Sequence, residues 1–133
     1  MAARVLIIED NKTNLELVDY LLKASGYETL TARDGEEGLR TARKELPDLM
    51  ICDLQMPVMD GYDVVREAKK DPLLRSIPII AVTALSMPGD RNNILSAGFD
   101  GYLSKPIDPE TFVRSVQDFL PPELRSRRPP DGS

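Results

Sequence analysis

At 133 residues the chain has room for one domain around a single core, and not for a second domain of useful size. With 22 acidic against 17 basic residues and a net charge of -5, it lacks the clustered positive charge that a nucleic-acid partner requires, and its one cysteine excludes an internal disulfide framework and suits a reducing compartment. Histidine is absent, which excludes histidine catalysis, histidine metal ligation and a phosphohistidine on this chain, so any such group must arrive on a partner.

Val5 to Ile8 is a run of β-branched residues and leucine that stops at Glu9-Asp10-Asn11, predicting a first buried strand that delivers two acids to its carboxyl end. This segment is too short for a signal peptide or a membrane span, so a cytoplasmic protein without a membrane partner is expected. Thr13 to Glu16 has capping-box spacing. Leu15, Val18 and Leu22 recur at helical intervals, predicting a first helix that closes near Ser25-Gly26, with Gly26 in a left-handed position. Thr29 to Ala32 reads as a second, weaker strand. Asp34 is the expected N-cap of a second helix, with Leu39, Ala42 and Leu46 on its inner face and Pro47 at its end.

Leu49 to Cys52 is an uninterrupted apolar run, as in a strand buried on both faces, and it halts at Asp53. Pro57 and Asp60-Gly61 then punctuate a loop, here read as turn chemistry. Tyr62 to Lys70 predicts a short helix with Val65 and Ala68 inward, stopped by Asp71-Pro72, and Ile79 to Val82 a fourth strand ending at Thr83-Ala84. Met87-Pro88-Gly89-Asp90 opens a weakly anchored fourth helix, with Ile94 and Ala97 inward and Gly98 at its end. Gly101 to Leu103 is a minimal fifth strand leading into Ser104-Lys105-Pro106. Asp108 as N-cap and Pro109 at the first helical position open a last helix with the stripe Phe112, Val116 and Phe119. From Pro121 the apolar period is lost, so residues 121–133 are expected to be a disordered tail beyond a domain of residues 1–120.

Five strands alternating with five helices specify an α/β fold, a doubly wound parallel sheet with right-handed connections. Of the two common strand orders, the flavodoxin-like 2-1-3-4-5 suits five strands. It makes the first and third strands neighbours across the switch point, which brings Glu9 and Asp10 beside Asp53 at the edge where ligands bind. Carboxylates so close repel, and a close pair is not ionised together without compensation. A hard divalent ion held through oxygen answers that need, and Mg²⁺ suits a partial cage with positions left for water and a substrate phosphate. Lys105 can add a further positive charge. Asp53 is then the candidate nucleophile, because aspartyl phosphate is an established intermediate and phosphoryl transfer asks mainly for in-line positioning and charge neutralisation. Thr83 offers a hydroxyl at the same edge, with Ala84 leaving room beside it. Each residue taken singly also has a plainer reading: Asp53 as a turn or cap, Glu9 and Asp10 as solvated loop acids, Thr83 as a strand-end hydroxyl, Lys105 as a surface cation, Tyr102 as packing and Cys52 as an inert core thiol.

Glu9-Asp10, Asp53, Thr83 and Lys105-Pro106, in that order and spacing, make the chain from Arg4 to about Leu120 resemble a receiver domain of two-component response regulators. The resemblance implies that Asp53 accepts a phosphoryl group from a phosphohistidine on a sensor histidine kinase or a histidine phosphotransfer protein. It implies that Asp10, Asp53 and the backbone carbonyl of Gln55 ligate Mg²⁺, with Glu9 assisting through water. It further implies that Thr83 and Lys105 contact the phosphoryl oxygens, that Tyr102 is an aromatic switch turning inward when Thr83 moves, and that a cis Lys105-Pro106 bond orients the lysine inward. The Met87-Pro88-Gly89-Asp90 and Tyr102-Leu103-Ser104-Lys105-Pro106 segments resemble stand-alone cell-cycle or phosphorelay receivers and the receivers of hybrid kinases. Such a protein is a phosphoacceptor that assists its own phosphorylation and slow dephosphorylation, rather than an enzyme acting on others.

The leading functional expectation is a phosphorylation-dependent switch that binds a downstream protein, as a monomer or weak dimer. Its surface would comprise the fourth helix, fifth strand and fifth helix, around Asn92, Asn93, Tyr102, Lys105 and Val113. The first helix, with Leu17, Asp19 and Lys23 on or near its exposed side, is the kinase-docking element the resemblance implies. Arg125, Arg127 and Arg128 read as a solvated end, or else a small docking patch. An alternative within the family is a relay shuttle passing phosphate between histidine proteins, and the resemblance implies that Gln55 and Leu85 occupy positions that tune hydrolysis in the family. An aspartyl-phosphate hydrolase would usually carry a second acid two residues after its nucleophile, where Gln55 stands. A nucleotide or flavin site would need a glycine-rich loop in place of Glu9-Asp10-Asn11-Lys12.

Overall fold

The continuous apolar runs of the sequence become the strands of one sheet, because only a strand covered on both faces can bury every side chain it carries. The computed structural model describes residues 2–84 and 89–125. Strands β1 (Arg4–Ile8), β2 (Glu28–Ala32), β3 (Leu49–Asp53), β4 (Ile79–Thr83) and β5 (Gly101–Ser104) are all parallel and lie in the order β2-β1-β3-β4-β5, the expected flavodoxin-like arrangement. Helices α1 (Lys12–Ala24), α2 (Gly35–Glu45), α3 (Gly61–Lys70), α4 (Asp90–Ser96) and α5 (Phe112–Gln117) alternate with them.

The alternation of side chains along each strand divides the core in two. Leu6, Ile8, Met50, Cys52, Ile79 and Ala81 belong to one apolar cluster, closed by Leu39 and Ala42 of α2, Val64, Val65 and Ala68 of α3 and Ile94 of α4. Val5, Ile7, Leu49, Ile51, Ile80 and Val82 belong to the other, closed by Leu15, Val18, Leu21 and Leu22 of α1 and Phe112, Val113 and Val116 of α5. Burial of each large side chain contributes about 1.5–3 kcal/mol. The sheet is therefore a rigid frame whose carboxyl edge fixes whatever is attached to it. Edge strand β2 is partly exposed, in keeping with its weaker apolar run.

Several boundaries differ from the sequence reading. Helix α1 is capped by Asn11, whose Oδ1 accepts the Asn14 N–H at 2.9 Å, and the Thr13 to Glu16 capping box is not its cap. The Glu9 carboxylate accepts the Asn11 N–H at 3.1 Å, which turns the chain into the helix at that point. Gly26 has φ 95, as expected just beyond a helix end. Leu46 is not on the inner face of α2: it is the C-cap, at φ 48 and 49% exposed, because a residue preceding proline is disfavoured in the helical region. Helix α5 starts at Phe112, since the Asp108 carboxylate accepts the nearby Glu110 N–H in a local turn at 2.9 Å instead of capping a helix. Phe119 lies beyond that helix but still packs on the second cluster. The expected tail begins with order: Pro122–Leu124 form a 3-10 turn, Leu124 packs on the second cluster, and the Arg125 Nε donates to the Leu120 carbonyl at 3.1 Å. Leu85, Met87, Pro88, Arg127 and Arg128 lie outside the described residues. Among the described residues no helix is long and apolar enough to cross a membrane.

Candidate functional site

Register assembles the site. In the β1–β3 pair Ile8 stands opposite Cys52, so the next residues, Glu9 just past β1 and Asp53 at the last position of β3, stand at the same level of the sheet's carboxyl edge. Glu9, Asp10 and Asp53 each place a carboxylate oxygen within 4.8 Å of the others. Glu9 and Asp53 are both 4% exposed, so this is a buried concentration of negative charge. Lys105, just beyond β5, reaches between them, its Nζ 3.3 Å from Glu9 Oε1 and 3.2 Å from Asp53 Oδ1. Its backbone is held by a 2.8 Å bond from its N–H to the Thr83 carbonyl, and the Lys105-Pro106 peptide is cis. Thr83 closes β4 opposite Ser104 and is buried.

The loop after Asp53 is held as tightly. Leu54 N–H donates to the Val82 carbonyl at 3.0 Å, and Gly61 N–H donates back to the Leu54 carbonyl at 2.9 Å. A Cβ at Gly61 would fall 2.8 Å from both the Asp53 carbonyl oxygen and Leu54 Cα, so only glycine lets α3 begin this close to the acid. Asp60 and Asp63 form a capping box at that helix start. Gln55 N–H donates to Asp53 Oδ1 at 3.3 Å.

Two ionisable groups record the crowding. The Glu9 carboxyl is pushed up to about 7, first by burial and then by Asp53, against the opposing pull of the Asn11 N–H and Lys105. Burial alone would lower the Lys105 ammonium, but Glu9 and Asp53 outweigh it and raise it above its usual value. One ammonium therefore faces more carboxylate than it can neutralise, and the remainder requires a proton or a second cation. The donors brought together are oxygens, those of three carboxylates. That hard set fits Mg²⁺. The Cys52 thiol offers no soft ligand; it is fully buried, burial raises it well above its usual value, and it donates to the Asp53 carbonyl.

Of the residues singled out in the sequence, Glu9, Asp10, Asp53 and Lys105 converge, and Thr83 lies at the end of the neighbouring strand. Tyr102 is outside the acidic cluster, half-buried beside the first apolar cluster and level with Ala81. Asn92 and Asn93 are exposed on α4. Val113 is a correction: it is 0% exposed, since α5 turns two adjacent residues, Phe112 and Val113, into the core, and it has no place on a partner surface. Two contributors were missed. The N–H of Asn11, a loop residue by sequence, steadies Glu9, and the missing Cβ of Gly61, a turn residue by sequence, sets the approach of the loop.

Residues 5–117 match the model of the response regulator receiver domain. The polar-differentiation response regulator DivK of Brucella anthropi is 43% identical over 120 residues, which cover 90% of this chain and 98% of that protein. The chemotaxis protein CheY4 of Vibrio cholerae superposes with a TM-score of 0.85 at 33% identity, covering 90% of this chain and all of that one. The receiver domain of a sensor histidine kinase from Pseudomonas aeruginosa, whose structure has a magnesium ion coordinated in the active-site cleft, gives a TM-score of 0.81 at 34% identity, covering 90% and 98% of the two chains.

Proposed function

The chain belongs to the response regulator receiver domain family, and from that premise we propose that it carries a signal as a phosphoryl group on Asp53, taken from the phosphohistidine of a cytoplasmic sensor histidine kinase or histidine phosphotransfer protein. The observation that carries the reading is the convergence of Glu9, Asp10 and Asp53 on one point, with the Lys105 ammonium between two of them. In the transfer, an Asp53 carboxylate oxygen forms a bond to phosphorus while the phosphorus–nitrogen bond to the partner's imidazole breaks, and the imidazole keeps the electron pair of that bond. Asp10, Asp53 and the Gln55 carbonyl would hold Mg²⁺, with Glu9 acting through water. The ion would supply charge neutralisation at the phosphoryl oxygens. Lys105, already in contact with Asp53, moves to the phosphoryl group, and the Thr83 hydroxyl donates to another of its oxygens.

The group is a phosphoacceptor switch rather than a catalyst of others' reactions. Phosphorylation biases the two states through contacts that differ between them, and Thr83 with Tyr102 supplies that difference. The readout is a downstream protein bound on α4 and β5, around Asn92, Asn93 and Tyr102. The test is incubation of the full chain with acetyl phosphate and Mg²⁺, followed by intact mass. The wild type gains one phosphoryl group, and Asp53→Asn gains none. Undiminished labelling of that variant ends the proposal.

A further inference from the structure

A groove of about 400 Å³ runs between the first turn of α2 and the loop joining β3 to α3, lined by Asp34, Gly35, Glu36, Pro57, Val58 and Met59. Its most unusual member is Val58. At φ 68 it occupies the left-handed region, and its side chain is completely exposed. The Met59 N–H donates to the Pro57 carbonyl at 2.8 Å and closes a three-residue turn around it. A β-branched residue is strained in that conformation, where glycine, asparagine or aspartate is at ease. Folding gains no burial from an exposed valine, so the chain holds a strained apolar side chain toward solvent with no return within its own fold.

The rest of the groove suits an apolar guest with positive neighbours. Met59 lies over Gly35, where a Cβ would meet Met59 Cγ at 2.8 Å and Sδ at 2.9 Å, so the floor is a polarisable thioether on bare backbone. Pro57 and Val58 extend that apolar surface. The rim is acidic: Asp34 caps α2, and the exposed Glu36 meets Arg40 only at 4.0 Å. The nearby Arg33 is engaged with the Asp10 carbonyl.

We propose that this groove is a protein-docking site for a partner segment in which an apolar side chain is flanked by arginine or lysine. Charge complementarity selects that occupant. A second copy of this chain, with a net charge of -5, would bring more negative charge to an acidic rim. The chain's own basic end leaves from a turn packed on the cluster of α1 and α5, whereas α2 closes the cluster on the opposite face of the sheet. The site does not depend on phosphorylation of Asp53 and is tested in the unphosphorylated protein.

The experiment is an amide NMR titration of the isotope-labelled full chain with a blocked probe peptide carrying one leucine between two arginines. Saturable shifts confined to Asp34, Gly35, Glu36, Val58 and Met59 are expected. Matched peptides with serine for leucine, or glutamate for arginine, bind about fivefold or more weakly, the scale of one partly buried apolar side chain or a few charge contacts. Val58→Asn relieves the backbone, so it folds at least as well as the wild type, yet it weakens the peptide by roughly fivefold. Glu36→Lys reverses the preference between the arginine and glutamate peptides. Shifts elsewhere, no shifts, equal binding of the three peptides or indifference to both variants would overturn the proposal. So would groove resonances that move with protein concentration alone, or with Arg127→Ala and Arg128→Ala, since those results assign the groove to a second copy or to the chain's own end.

Discussion

Replacing Glu9 with glutamine removes the ionisable group that reports most directly on the crowded site. Glu9 is 4% exposed, and its carboxyl is pushed from an ordinary 4.5 to about 7, first by burial and then by Asp53. Between those two values the folded protein holds a proton that the unfolded chain has released. Stability from this group is therefore fully present below about 4.5 and is lost as pH rises through about 7. A shift of this size corresponds to on the order of 3 kcal/mol. Glutamine has no such titration. In metal-free buffer, urea unfolding followed by circular dichroism across that range should show wild-type stability falling relative to Glu9→Gln as pH rises, by up to that amount. Subtracting the two curves removes the surface carboxylates, including Asp63 and Asp71, which Arg66 and Arg43 hold below their usual range. A flat difference, or one of opposite slope, would refute the electrostatic reasoning.

Lys105→Gln leaves Glu9 and Asp53 without their shared ammonium, and at weakly alkaline pH without metal it should cost about 3 kcal/mol. Added Mg²⁺ should restore part of the melting temperature, and an unchanged melt in its absence would contradict the pairing. Gly61→Ala drives a methyl against the Asp53 and Leu54 backbone, so a loss of about 2 kcal/mol in urea unfolding and slower labelling by acetyl phosphate are expected. Val113→Ala should cost about 1–3 kcal/mol, whereas Asn92→Ala and Asn93→Ala stay within about 0.5 kcal/mol, which separates core from surface in one set of melts.

The sheet was legible because parallel strands buried on both faces leave continuous apolar runs, and Leu49 to Cys52, none of them more than 2% exposed, is such a run. The acidic cluster followed from strand order, which makes β1 and β3 neighbours, and from apolar runs that each stop at an acid; the register then sets Ile8 opposite Cys52. What escaped depends on contacts between distant residues or on choices within ambiguous runs. Asn11 and Thr13 lie in one polar stretch with more than one possible cap, and the bond from Asn11 to Glu9 decides between them. Apolar period does not say that both Phe112 and Val113 turn inward on a helix as short as α5. The role of Gly61 requires the path of the loop, and the left-handed Val58 has no sequence signal, because a β-branched residue rarely adopts positive φ.

The most direct measurement locates the phosphoryl group itself. The protein is labelled with acetyl phosphate and Mg²⁺, the acyl phosphate is reduced with borohydride, and the converted residue is mapped by peptide mass spectrometry. Conversion at Asp53 alone, abolished by chelation of the metal, is the predicted result. Conversion at Glu9, Asp10 or any other acid, or labelling that ignores the chelator, would contradict the account.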